Sequence, residues 1–576
     1  MIKKYFSNNI LIWGTFVIAL IVFSCANPVA PMGGPKDTTP PKVVTTTPEN
    51  YSVNNNKKEF HITFDEFVIT KSLNQQLLVS PPLKGEIESK LSGHTLTVKF
   101  SDTLKENTTY TFNFRNTIVD LHEENPLENY NYIFSTGDII DSLKITGQIL
   151  HASNRKPAAD ILVMLYDSYD DSVSIRERPY YIASTDENGN FTLPHLRSNK
   201  YKIFALKDAN NNLLFDIPTE KIAFLDTLIF PQEISQIKDA VAENDSIIPD
   251  SLNTNKKDSI ILSNEAITMF LFTEKDTVLS IKNSKLFENK YFITSFSKAV
   301  PEAHFNILKP EMDSTAITKE WNSNHDSVTV WLHHFENDSL VVQIYNCDTI
   351  LDTLTFTYLK KEEHKRDKNE EIKPERFHLK ADIKGKNQLL EHPLRIIADS
   401  PIKNILSDSL ILITPKDTIN TSFKKTGIRN IEIDYDWEEN SNYSIIIPDS
   451  TFFDINDLTQ DSTNIKFSTK GNDYYGTLII HITIPENTSP QIIQLSDADE
   501  KEIIFEQTIP KSTTLKIPFL EPQKYKLRAI SDNNGNGKWD SGIYLMHLQP
   551  EEITYLPNLV EIMGNWDIEV NWKIKP

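Results

Sequence analysis

Cysteine is nearly absent: the 576 residues hold only two. That excludes a disulfide framework and a cysteine-built zinc site. Glycine is scarce at 16 residues, under half the usual share of about 7%, so collagen-like and Gly-rich linker readings fail. Positive charge is in deficit. Lys and Arg number 59 against 80 Asp and Glu, a net charge of −21, and no basic block offsets it. Such a chain is a poor partner for nucleic acid. After the first 25 residues no apolar run approaches the length of a membrane-spanning helix. No GxSxG elbow, P-loop or GxGxxG occurs. What is present, 39% apolar and 24% charged residues, suits a folded protein, and the length points to about four or five domains.

The N-terminus addresses the compartment. Lys3 and Lys4 precede an apolar run from Ile10 through Phe23, built like the core of a signal peptide. The run ends in Val22-Phe23-Ser24-Cys25, which resembles a bacterial lipobox. The resemblance implies export, lipidation of Cys25 and cleavage before it, leaving residues 1–24 as a lipoprotein signal peptide. Two or three acyl chains at ~0.8 kcal/mol per buried CH₂ make a stable anchor. The mature chain would carry 57 − 80 = −23 charges, Lys3 and Lys4 being lost. Residues 25–42, rich in Pro and Gly, read as an extended tether. The expected location is the bacterial cell envelope, lipid-anchored at the outer membrane, on a face the sequence leaves open.

The rest predicts strands. Phe60-His61-Ile62-Thr63-Phe64, Leu96-Thr97-Val98-Lys99-Phe100 and Ser327-Val328-Thr329-Val330-Trp331-Leu332 alternate apolar with polar residues, the period of half-buried strands. With frequent turn signals and no long helical stripe, the fold class is all-β, as tandem sandwiches.

A duplication organises them. Residues 194–208 and 518–532 align without gaps at an offset of 324 residues, around Lys200-Tyr201-Lys202 and Lys524-Tyr525-Lys526. Upstream, Phe134-Ser135-Thr136 matches Phe467-Ser468-Thr469, each after a Tyr-led strand that ends near Asp120 or Asp454. A two-domain unit therefore occurs twice, over about 43–235 and 375–576. Its first half (43–140, with a weaker copy at 375–472) resembles a bacterial Ig-like domain of the S-layer SbsA type. The residues carrying this are Pro40-Pro41-Lys42-Val43-Val44, Ile62-Thr63-Phe64-Asp65-Glu66 and Tyr132-Ile133-Phe134-Ser135-Thr136-Gly137. The second half (141–235 and 473–576) resembles a transthyretin-like or carboxypeptidase regulatory-like sandwich, through Ile145-Thr146-Gly147-Gln148-Ile149 and the turn Asp186-Glu187-Asn188-Gly189. Residues 263–359 read as a degenerate Ig-like module between a polar linker (236–262) and a charged one (360–374).

Candidate sites are few. Asp532, Asn534, Asn536 and Asp540 fall at positions 1, 3, 5 and 9 of what resembles a calcium loop. Position 12 is Ile543 in place of the bidentate Glu, so a further ligand would come from water or from Glu551 or Glu552. The duplicate offers Asp208, Asn210, Asn212 and Asp216, with Leu213 in place of the turn glycine. The competing reading is an Asx-rich loop that satisfies its own backbone. Asp65-Glu66 and His333-His334 are read as strand neighbours facing opposite ways, and Cys347 as a small buried hydrophobe. The chain as a whole resembles Ig-like-domain lipoproteins of Bacteroidota envelopes. That resemblance implies a non-catalytic modular scaffold or adhesion protein, membrane-bound through its lipid, with an unidentified envelope protein or glycan as partner. The alternative is a glycan-binding or polysaccharide-handling surface lipoprotein, suggested by compartment alone.

Overall fold

The computed structural model describes residues 37–232, 261–262, 267–275, 278–288, 290–300, 303–357, 375–383 and 387–574. Cys25, the tether before residue 37, the polar linker up to residue 260 and the charged linker all lie outside the described residues. Among those described, the architecture is nearly all-β and consists of tandem sandwiches.

In the first sandwich a four-stranded sheet (Val43–Thr47, Glu59–Phe64, Thr95–Phe100, Ile87–Ser92) faces a three-stranded one (Leu78–Ser80, Thr109–Asn113, Asn131–Ser135). Alternation puts Phe60, Ile62, Leu96, Val98, Phe112 and Phe134 in one core. A side ribbon pairs Val68–Thr70 with Ile118–Asp120. The fourth sandwich repeats this plan, and there Ile402–Ile405 pairs with Phe452–Asp454. Both copies fix their corners alike. The Tyr110 hydroxyl accepts from the Lys105 N–H at 2.9 Å, and Tyr443 accepts from Glu438 at 2.7 Å. Asp120 and Asp454, the two acids at the end of the matched strands, are buried. Asp120 accepts four backbone N–H groups, from His122, Glu123, Glu124 and Asn125, at 2.7–3.1 Å. Burial alone would raise its carboxyl; those donors outweigh burial and hold it below its ordinary value.

The second and fifth sandwiches share one topology. Leu143–His151 pairs antiparallel with Asn190–Leu196, as Gly476–Thr483 pairs with Thr513–Leu520. On its other side each takes a parallel strand, Ile267–Thr273 in the earlier copy and Asp567–Lys573 in the later. This corrects a boundary. Ile267–Thr273 falls within the stretch read as the third module, yet it completes the second sandwich, entering the sequence only after the polar linker. The third module's own two sheets run from Ile281–Phe287 to Thr349–Thr357 around a separate core. The matched Lys-Tyr-Lys motifs close a corner, with the Tyr201 and Tyr525 hydroxyls donating to the carbonyls of Arg197 (3.2 Å) and Glu521 (2.9 Å).

Neighbouring modules touch. Arg197 donates to Thr108 Oγ1 at 2.8 Å between the first two. Between the third and fourth, the Arg429 Nε lies 2.9 Å from Glu320, and the guanidinium sits over the Trp331 ring.

Candidate functional site

The two Asn-rich loops take the same conformation, and each is built around an acid that gathers backbone N–H groups. Asp532 is almost fully buried; its carboxylate accepts from the N–H groups of Asn536 (3.0 Å) and Gly537 (2.9 Å). Asn534 and Asn536 accept from backbone two residues on, and both turn their amide groups to Asp540 Oδ2. In the other loop Asp208 accepts from Asn211 (2.7 Å) and Leu213 (2.8 Å), and the Asn210 and Asn212 amides reach Asp216.

Glu551 is the carboxylate that braces the later loop, accepting from the N–H groups of Asn533 (2.7 Å) and Asp540 (2.9 Å). Glu220 fills that role in the earlier one, accepting from Ala209 (3.0 Å) and Asp216 (3.2 Å). Sequence reasoning named Glu551 only as one of two distant carboxylates and missed Glu220. The spacing hides the match, because the brace comes four residues after Asp216 and eleven after Asp540. Burial, with Asp540 and Asp532 nearby, raises the Glu551 carboxyl despite its two donors. At Asp540 burial would also raise the carboxyl, but the Lys275 ammonium and the two Asn amides hold it below its ordinary value. Each loop thus brings its four expected side chains together, and the oxygens of each already accept from an N–H. A cation would have to displace Lys275 from Asp540. Among the described residues no three His, Cys, Asp or Glu side chains converge as a metal-holding group.

The extra residues between Asp540 and Glu551 are what join the two units. Residues 541–549 leave the fifth sandwich and lie on the outer face of the second. Tyr544 is buried there against Phe204, Phe215 and Phe224, with ring centroids 5.3–6.1 Å apart. Its N–H donates to Glu274 at 2.6 Å, its hydroxyl donates to the Asp171 carbonyl, and Gln549 donates to the Phe224 carbonyl. From the second sandwich, Arg155 lays its guanidinium 3.5 Å from the Phe270 ring centroid and donates to the Ile553 carbonyl at 3.0 Å.

The outer face has a sequence signal that went unread. In Lys202–Lys207 the run Ile203-Phe204-Ala205-Leu206 is unbroken and wholly buried: Ile203 and Ala205 enter the module core, Phe204 and Leu206 the docked face. The duplicate has Arg528 where the first copy has Phe204. A strand apolar on both sides is covered on both sides.

His547 closes the contact, with Nδ1 2.8 Å from Asp226 Oδ1 and Nε2 3.4 Å from Asp171 Oδ2. Asp226, more than burial opposes it, raises His547 above its ordinary 6.5, and Asp171 adds to this. Lys202 holds Asp171 below its ordinary 3.8. A raised histidine stabilises most below about 6.5 and loses that contribution as pH climbs through its folded value; a depressed Asp loses its contribution as pH falls through its own. The contact is therefore expected to be tightest between about pH 4 and 6.5. Unfolding midpoints of the parent and His547→Gln, compared across pH, should differ most in that window and converge as pH climbs through the raised value of His547.

Other candidates stay apart. Asp65-Glu66 lies in the bend after Glu59–Phe64, where Asp65 accepts the Lys42 N–H at 2.8 Å. His333-His334 also sits in a bend, His333 contacting Thr318 Oγ1 and His334 donating its N–H to Asn456. Cys347 is exposed, not buried: it occupies the two-residue turn between Ser339–Asn346 and Thr349–Thr357 with φ +51°, and turn tips face solvent.

Comparison with known proteins agrees on the building block. Residues 37–136 match the family described as bacterial Ig-like domain. No curated protein matches the chain. Among solved structures, surface layer protein SbsC (domains 1–6) is 11% identical, with 91% of this chain and 68% of that one covered and a TM-score of 0.13. BcpA, the major pilin subunit of Bacillus cereus, is 8% identical, with coverage of 75% and 99% and a TM-score of 0.13. The SGBP-B of a Bacteroides ovatus mixed-linkage glucan utilization locus, in complex with a mixed-linkage heptasaccharide, is 8% identical, with coverage of 72% and 93% and a TM-score of 0.20. At these TM-scores the likenesses carry no argument about what the chain does.

Proposed function

We propose that the chain is a non-catalytic lipoprotein of the bacterial cell envelope, a modular scaffold moored by Cys25 at the outer membrane. The observation that supports this best is how the buried polar groups are used. Asp120, Asp454, Asp532, Glu220 and Glu551 each hold loop backbone through hydrogen bonds, which is architecture and not general acid or base work. The bacterial Ig-like match and the lipobox resemblance point the same way. The test is Cys25→Ser: the parent should partition with membranes and the variant should not. Membrane partitioning that survives the substitution, or turnover of a substrate by the purified chain, would overturn the reading.

Calcium in the Asp532–Asp540 loop, and more weakly in Asp208–Asp216, is proposed on the spacing of their oxygens. Saturating calcium at about 100 times its Kd would add about 2.7 kcal/mol, so the melting midpoint should fall on adding chelator. An unchanged midpoint removes the metal.

A further inference from the structure

The later Asn-rich loop and the contact between the two units are built from the same residues. Asp540 stands immediately before the inserted stretch 541–549, and Glu551 follows it. The two are pinned together: the Asp540 N–H donates to Glu551 Oε2 at 2.9 Å, and the Glu551 N–H donates to the Asp540 carbonyl at 3.0 Å. The stretch that seats Tyr544 on the second sandwich is therefore a lobe whose base is the loop. From the second sandwich, Glu274 and Lys275, just beyond the closing strand Ile267–Thr273, grip both parts. Glu274 accepts the Tyr544 N–H at 2.6 Å, and the Lys275 ammonium sits on Asp540 Oδ1.

Lys275 is thus a cation already seated on the loop. Its partner Asp540 is position 9 of the calcium spacing, and the other oxygen of that carboxylate holds the Asn534 and Asn536 amides. A divalent ion drawn to Asp540 would meet an ammonium in contact with the same group, and like charges that close repel. The closed contact and a bound ion therefore compete for one carboxylate. The earlier loop lacks this device. Its brace Glu220 follows Asp216 by four residues with no lobe between them, and among the described residues no Lys or Arg pairs with Asp216. We propose that calcium in the Asp532–Asp540 loop and closure of the two units oppose each other, with Lys275 as the competitor, so that the ion opens the contact and an open contact admits the ion. The inference rests on the calcium reading above and adds its regulation. The coupling is reciprocal: the factor by which closure weakens calcium binding is the factor by which calcium weakens closure.

The test uses the full chain in detergent. Binding of calcium chloride is measured by calorimetry, and closure by hydrogen-exchange protection of 541–549, which includes the Tyr544 N–H. In the parent, saturating calcium should lower that protection. Lys275→Met, at an exposed position, should bind calcium about tenfold more tightly or better and show lower protection without calcium. Lys275→Arg, which keeps the charge, should behave like the parent. Calcium that binds the parent and Lys275→Met with equal affinity, or that leaves or raises protection at 541–549, would overturn the coupling while the calcium reading stands. No calcium binding at millimolar concentration by either chain would sink the calcium reading and this inference with it.

Discussion

Tyr544→Ala is expected to release the two units from each other. The ring is buried among Phe204, Phe215 and Phe224, and emptying an aromatic site costs about 3–5 kcal/mol. That cost falls on the contact alone, because Tyr544 belongs to the inserted stretch and not to the fifth sandwich's core. Small-angle scattering should show a larger radius of gyration, and protease should cut within 541–549 while the sandwiches stay intact. Tyr544→Phe keeps the ring and loses only the bond to the Asp171 carbonyl, about 1 kcal/mol, so it should stay closed. An unchanged scattering profile for the alanine variant would mean that the polar contacts of Arg155, His547 and Gln549 hold the units without the ring.

Gly147→Val should be the most damaging single change within a module. Gly147 is flanked by Phe191 on one side and Ile267 on the other. A Cβ there would lie 2.2 Å from the Ile267 carbonyl oxygen and 2.7 Å from the Phe191 ring. The oxygen is backbone and cannot swing aside, so the strand Ile267–Thr273 must detach. Overpacking of this kind costs about 3 kcal/mol or more. Amides of 267–273 should lose hydrogen-exchange protection before those of the other modules. The loss should spread to the unit contact, because Phe272 belongs to both. Retained protection at 267–273 would show that the backbone can shift to admit the side chain.

Both substitutions probe features that the sequence showed in part. Period-two alternation made the strands legible, and the duplicated Lys-Tyr-Lys and Phe-Ser-Thr motifs made the repeat legible, since each marks a hydrogen-bonded corner that recurs with its spacing kept. The loop oxygens were legible for the same reason: Asx turns are local. Glu220 escaped notice because the brace acts through space, and its distance along the chain differs between copies. Ile267–Thr273 was assigned to the wrong module because a parallel partner leaves no local signature, and a polar linker stood before it.

By itself, then, the chain determined its alternating strands, its corners, its loop chemistry and its repeat, because these rest on local periodicity and on short motifs that recur with their spacing kept. Tertiary structure alone decided which distant strand closes the second sandwich, that residues 541–549 seat Tyr544 against Phe204 and Phe224, and that a polar groove opens between the first two modules. These depend on surfaces tens to hundreds of residues apart meeting with matching shape and charge, which no local pattern encodes.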